Sequence, residues 1–177
     1  MAEIVLELPT ADHESRANQF KEEFFLHNEP VINGSALFDQ MDYKKWLEYT
    51  TKNRSSEIAS KEWVPASTFF GVRKSDRKIV GMIDIRHNLD HYFLASYGGH
   101  IGYSVCPSER RKGYAVQMLS MTLEYAKSIH LSSVMLGCYS DNTASVKTIL
   151  KCGGVLTETK PYADGKPMNV YWINLRG

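Results

Sequence analysis

The stretch Val105-Cys106-Pro107-Ser108-Glu109-Arg110-Arg111-Lys112-Gly113-Tyr114-Ala115 decides how the rest of the chain is read. Ahead of it, Gly99-His100-Ile101-Gly102-Tyr103-Ser104 has the composition of a strand. Behind it, Ala115, Met118, Leu119, Thr122, Ala126 and Ile129 recur at helical spacing and predict one buried stripe. A strand that enters a short basic loop and then a helix N-terminus is suited to an anion. The first helical turn leaves its N–H groups without intrahelical partners, and the helix dipole favours negative charge there. Arg110, Arg111 and Lys112 add three formal positive charges, and Gly113 lets a ligand approach the backbone closely. The expected ligand is a phosphate or pyrophosphate.

Composition narrows the setting. The 177 residues suit one domain, 1–177, with a full core. Hydrophobic residues make up 43% and charged ones 23%, and the formal net charge is +1. Nothing global therefore argues for nucleic acid or an anionic membrane. The basic cluster is local, which favours a small anion over a polyanion. Cys106, Cys138 and Cys152 lack CxxC spacing and are read as reduced core thiols. No run approaches the roughly 18 apolar residues of a membrane span. The start Met1-Ala2-Glu3-Ile4-Val5-Leu6-Glu7 lacks a signal-peptide pattern, and the expected location is cytoplasmic.

Working outward, Ile4 to Leu8 predicts a strand stopped by Pro9. Asp12 is expected to cap a helix through about Asn28, with Phe20, Phe24 and Phe25 inward. A second helix is expected from Asp39 to about Lys52, followed by a polar connection from Asn53 to Pro65 that contains Ile58 and Trp63. Ser67–Arg73 and Lys78–Arg86 read as a hairpin around Ser75-Asp76. His87 to Gly99 reads as a polar and aromatic loop. After the long helix come a strand at Ser133–Cys138, a helix capped at Asp141-Asn142 with Val146, Ile149 and Leu150 inward, and a stop at Gly153-Gly154. Val155–Lys160 and Met168–Leu175 form a last hairpin around Asp164-Gly165. The order β-α-α-β-β-β-α-β-α-β-β predicts an α/β fold of the α+β type. Its central sheet is mixed, mostly antiparallel and flanked by helices.

Val105-x-Pro107-x-x-Arg110-x-x-Gly113-x-Ala115 resembles the acyl-CoA signature of the GNAT superfamily of N-acetyltransferases, whose core is Gln/Arg-x-x-Gly-x-Gly/Ala. The likeness continues through Leu136-x-Cys138, Asp141-Asn142-x-x-Ser145 and Lys151-Cys152-Gly153-Gly154, and covers about 67 to 160. With Gly-Gly-His-Ile-Gly-Tyr in the strand, the chain is similar to a branch of predicted acetyltransferases without assigned substrates. The resemblance implies acetyl-CoA as co-substrate. The Arg110-Arg111-Lys112-Gly113-Tyr114-Ala115 backbone would hold its pyrophosphate, and the strand edge at Tyr103, Ser104 and Val105 would pair with the pantetheine arm. Asn142 and Ser145 would lie beside pantetheine or thiol. A splay between this strand and the one at 133–138 would admit the cofactor. The implied reaction is acetyl transfer to a primary amine of a small molecule or peptide by direct attack in a ternary complex.

Two positions depart from the family's pattern. The tyrosine that many members carry seven residues after the Asn, as acid, is Ile149 here, and the usual carboxylate base gives way to Gly98-Gly99-His100. His100, with an ordinary pKa near 6.5, is the candidate base, and Tyr139 the candidate acid. Asp84 and His87 rank below them. Cys138 has no His-plus-carboxylate arrangement to make it a nucleophile, and the six histidines show no metal spacing. Acceptor-site candidates are Trp46, Trp63, His91, Tyr92 and Tyr97. The departures keep a non-catalytic acyl-CoA-binding sensor as the alternative, and the loop taken alone keeps a phosphate-binding protein. A homodimer is left open.

Overall fold

The computed structural model describes residues 2–55 and 63–177; Met1 and Ile58 lie outside them. The chain runs β1 (Ile4–Glu7), α1 (Glu14–Leu26), α2 (Tyr43–Asn53), β2 (Ala66–Arg73), β3 (Ile79–Arg86) and β4 (Ile101–Val105). It continues through α3 (Tyr114–Ser128), β5 (Ser133–Tyr139), α4 (Thr143–Lys151), β6 (Val155–Pro161) and β7 (Pro167–Asn174). This is the expected order. The start of α2 differs: the helix begins at Tyr43 rather than Asp39, and Asp42 caps it by accepting the Lys45 N–H at 3.1 Å. Asp39 instead accepts the Ile32 N–H at 2.9 Å, which folds the loop ahead of the helix. The segment read as a loop from His87 to Gly99 contains a wide helical turn at Leu94–Gly98, packed on β5.

The strands form two antiparallel sheets, ordered β1-β2-β3-β4 and β5-β7-β6. They meet where β4 begins. An isolated bridge joins Gly99 to Leu136. The His100 N–H donates to the Met135 carbonyl at 2.7 Å, and the Met135 N–H donates to His100 Nδ1 at 2.9 Å. Gly99 has φ +65°, and a Cβ there would collide with the Met135 carbonyl. Beyond this weld no backbone ladder joins β4 to β5 among the described residues, so the two strands part as a wedge.

Each face of the first sheet is covered. On one side α3 packs Met118, Leu119, Leu123 and Ala126 against Ile83, Ile85, Ile101 and the inner face of β5. On the other, Phe20 and Phe24 of α1 and Trp46 of α2 close over Phe70, Ile79 and Met82. Three side chains depart from the sequence expectation. Leu150 is 52% exposed and Phe25 44% exposed, since each lies on the outer side of its helix. Trp46 is fully buried in the core, donating its indole N–H to the Ser35 carbonyl at 2.7 Å. No helix among the described residues is long and apolar enough to cross a membrane.

The weld is sensitive to pH. Burial first, and then the nearby Arg86 charge, push His100 down to about 4 from 6.5. The native state therefore refuses a proton that the unfolded chain accepts as pH falls below 6.5. Stability is complete above that value and declines toward pH 4, by on the order of 3 kcal/mol at most. Denaturant midpoints measured from pH 7.5 to 4.5 should fall in the wild type. They should fall much less in His100→Asn, whose amide oxygen can accept the Met135 N–H without titrating. Equal slopes for both would contradict the assignment.

Candidate active site

The loop after β4 is built from its own backbone. Pro107–Glu109 form one tight turn, Arg110 is extended, and Arg111 (φ +62°) and Gly113 (φ +81°) are left-handed. That sequence of conformations brings successive N–H groups to one side, the geometry of an anion nest. The N–H groups of Arg111 through Val116 make no hydrogen bond to a protein acceptor among the described residues. They open toward the start of α3, whose N-cap is Gly113.

A residue that the sequence reading passed over holds this loop in place. Glu109 is 5% exposed and accepts from Arg73 at 2.7 Å, Lys112 at 2.8 Å and Lys78 at 3.0 Å. Burial alone would raise its carboxyl, but these hydrogen bonds outweigh that and hold it at about 2. The clue available in sequence was an acid set among Lys and Arg. Helix α1 and the loop that follows it clamp the same loop from outside. Glu23 accepts the Ser108 N–H at 2.7 Å, and Glu29 takes a bidentate contact from Arg110 at 2.6 and 2.8 Å. Arg110 and Lys112 are thus committed to carboxylates. Arg111 is exposed and makes no ion pair among the described residues. The loop thus keeps the unpaired charge of Arg111 together with the partial positive charge of the helix start and its N–H groups.

The structure brings several of the sequence candidates to the wedge. Tyr103 reaches across from β4 to α4, its hydroxyl 3.0 Å from Ser145 Oγ, and burial pushes its phenol up to about 12. Asn142 caps α4 by accepting the Ser145 N–H at 3.1 Å. The Ser104 hydroxyl donates to the Asn33 carbonyl, tying the loop after α1 to β4. Val105 ends β4, and its carbonyl accepts from Arg110 Nε at 3.2 Å. Tyr114 is buried under the loop, and its hydroxyl accepts from Arg73 at 3.2 Å. Ala115 is half-buried at the start of α3.

The candidate acid and base lie apart. Because the Met135 N–H occupies His100 Nδ1, the neutral ring carries its proton on Nε2 and has no free lone pair in this tautomer. Tyr139 is at the far end of β5 and donates to Asp164 at 2.9 Å in the β6–β7 turn. There Tyr97, Tyr139 and Tyr162 form an aromatic cluster, with Tyr162 5.1 Å from Tyr97 and 6.0 Å from Tyr139. Trp63 packs on His91 at 4.8 Å, while Tyr92 is 82% exposed. Tyr97 donates to the Pro161 carbonyl at 3.1 Å. His87 faces α3, 2.8 Å from Ser67 Oγ. Asp84 is buried on β3 beside Arg86 at 3.4 Å. Cys138 is a buried thiol pushed up to about 11.

A model of the acetyltransferase (GNAT) family matches residues 37–153. No curated protein sequence matches the chain. Among solved structures, a ribosomal-protein-S5-alanine acetyltransferase from Vibrio fischeri aligns with a TM-score of 0.75 at 17% identity, covering 98% of this chain and 94% of that one. The microcin C7 self-immunity acetyltransferase MccE, in complex with acetyl-CoA and AMP, gives 0.71 at 19% identity, covering 97% and 92%. A variant of the spermidine N-acetyltransferase SpeG from Vibrio cholerae gives 0.65 at 14% identity, covering 97% and 95%. These structures share the fold. The family match runs from ahead of α2 to the end of α4 and takes in the loop, the wedge and the Asn142 cap. The chain therefore belongs to the acetyltransferase (GNAT) family.

Proposed function

We propose that the chain transfers an acetyl group from acetyl-CoA to a primary amine of a small molecule or peptide, by direct attack within a ternary complex. The observation that carries this reading is the run of unpartnered N–H groups from Arg111 to Val116, beside the unpaired edge of β4. The nest takes the pyrophosphate through backbone hydrogen bonds and the helix dipole. Tyr103, Ser104 and Val105 offer the pantetheine amides a strand to pair with, and Asn142 and Ser145 line the opposite bank on α4. A main-chain N–H near Val105 polarises the thioester carbonyl as charge develops on it. Holding both reactants together supplies much of the rate. An amine acceptor is supported by the similar structures named for spermidine and for an alanine of a ribosomal protein.

A second reading has its own support. In this structure His100 has no free lone pair and Tyr139 is engaged by Asp164 at the tip of the second sheet. Acyl-CoA binding without turnover is consistent with both. A panel of amines with free-thiol detection separates the readings: thiol release that depends on an amine establishes transfer, and binding without release establishes the sensor.

Calorimetric titration with acetyl-CoA tests the shared premise. Binding should be detected with the wild type and weakened at least about tenfold by Gly113→Asp, which sets a negative side chain against the phosphates at a left-handed position. Folded Gly113→Asp with wild-type affinity would place the pyrophosphate elsewhere. Absence of wild-type binding at millimolar cofactor would defeat both readings.

A further inference from the structure

Next to β4, one wall of the wedge, β3 carries a buried carboxyl. Asp84 on β3 pairs in register with Gly102 on β4, two residues from the His100 weld. It is 3% exposed. Its Oδ2 lies 3.4 Å from Arg86 Nε, while Oδ1 has no hydrogen-bond partner among the described residues, and neither has Arg86 Nε. Proteins rarely leave a buried carboxylate oxygen without a donor, because its lost hydration goes uncompensated. Such an atom, one strand away from the wedge, is suited to a partner that comes and goes.

Gly102 explains the placement. A Cβ at that position would lie 3.3 Å from Asp84 Oδ1 and 3.4 Å from Arg86 Nη2. The Asp84 carboxyl thus leans into the space that a side chain on β4 would fill. The strand that carries no carboxylate of its own borrows one from its neighbour, and a side chain at 102 would press on it. The facing groups are few. Arg86 lies on the same strand, and His100 is neutral with Nδ1 engaged. Tyr49 of α2 has a phenol pushed up by burial and by the Asp84 charge. Gly34 roofs the spot from the loop after α1, its Cα 3.4 Å from the same Cβ position on Gly102.

We propose that Asp84 Oδ1 is the proton acceptor for the amine that attacks the thioester. This rests on the transfer reading above. The amine nitrogen forms a bond to the acetyl carbon, and the bond from that carbon to sulfur breaks. The proton lost by nitrogen passes to Asp84 Oδ1, directly or through one water, and from there to solvent. The thiolate leaves with the electron pair of the broken bond and takes up a proton from solvent. The product is the amide plus free coenzyme A, with no oxidant or metal required. Burial pushes the Asp84 carboxyl up, against the opposing Arg86 charge and the nearby main-chain N–H groups of Gly102 and Asp84, which makes it a stronger base than an exposed carboxylate.

The test uses the full chain and an amine identified by thiol release, with acetyl-CoA affinity measured separately. Asp84→Asn should lower kcat/KM by about 100-fold or more and leave acetyl-CoA affinity within about twofold. Its residual rate should lose the acidic limb of the wild-type pH profile. Gly102→Ala, which keeps the carboxyl but crowds Oδ1, should lower kcat by roughly tenfold with the cofactor still bound. A folded Asp84→Asn with wild-type kcat/KM overturns the proposal. Should that variant fail to fold, a folded Gly102→Ala with wild-type kcat overturns it instead. Wild-type protein that binds acetyl-CoA yet acetylates no amine overturns the transfer reading itself, a result distinct from either variant outcome.

Discussion

Two hydrogen bonds between His100 and Met135, with the Gly99–Leu136 bridge beside them, join the two sheets at the point where they part. The wedge between the two sheets follows from the join being this short. Were β4 and β5 paired along their length, their edges would satisfy one another and leave nothing for a ligand. Were they not paired at all, α3 and α4 would have no fixed relation across the gap. A histidine does this well because one residue supplies a backbone donor and a side-chain acceptor to the two polar groups of Met135. The arrangement requires the ring to stay neutral, and burial enforces that. The same fact removes His100 Nδ1 from proton-transfer chemistry while the weld holds.

The loop at the other end of β4 solves a different problem, that of keeping backbone donors open in a folded protein. Unpartnered N–H groups are tolerable only where solvent or a ligand can reach them, so the loop must be rigid yet accessible. Rigidity comes from below through Glu109 and its three cations, and from the side through Glu23 of α1 and Glu29 of the loop after it. The left-handed residues Arg111 and Gly113 then turn the chain into α3. In this division of labour most of the basic residues near the loop fix its shape, and the backbone N–H groups stay open.

What could be read in the sequence followed from local rules. Strand, basic loop and helix stripe were legible because each rests on spacing within a few turns, and the Asn142 cap because the Asx side chain bonds three residues ahead. The aromatic run 87–99 hid a wide helical turn, since that turn is set by packing on β5. The neighbours Val146 and Ile149 suggest an inward Leu150, but it sits on the outer side of α4. The roles of Arg110, Lys112 and His100 were not legible, because their partners lie far away in sequence or on another sheet: Glu29 for Arg110, Met135 for His100. Glu109 looked like one more charge in a polar loop until Arg73 and Lys78 arrived from the β2–β3 hairpin. Asp84 could be noticed as a lone acid on an apolar strand, yet its relation to Gly102 exists only through strand register.

The central claim is that one continuous site runs from the N–H nest at Arg111–Val116 along the edge of β4 to the weld at His100. A crystal structure of the chain with acetyl-CoA tests it most directly. The account predicts pyrophosphate oxygens on those N–H groups, pantetheine amides paired with β4 inside the wedge, and the thioester near Gly102, with the His100–Met135 contacts intact. A cofactor bound outside the wedge, or a wedge closed by pairing of β4 with β5, would contradict it.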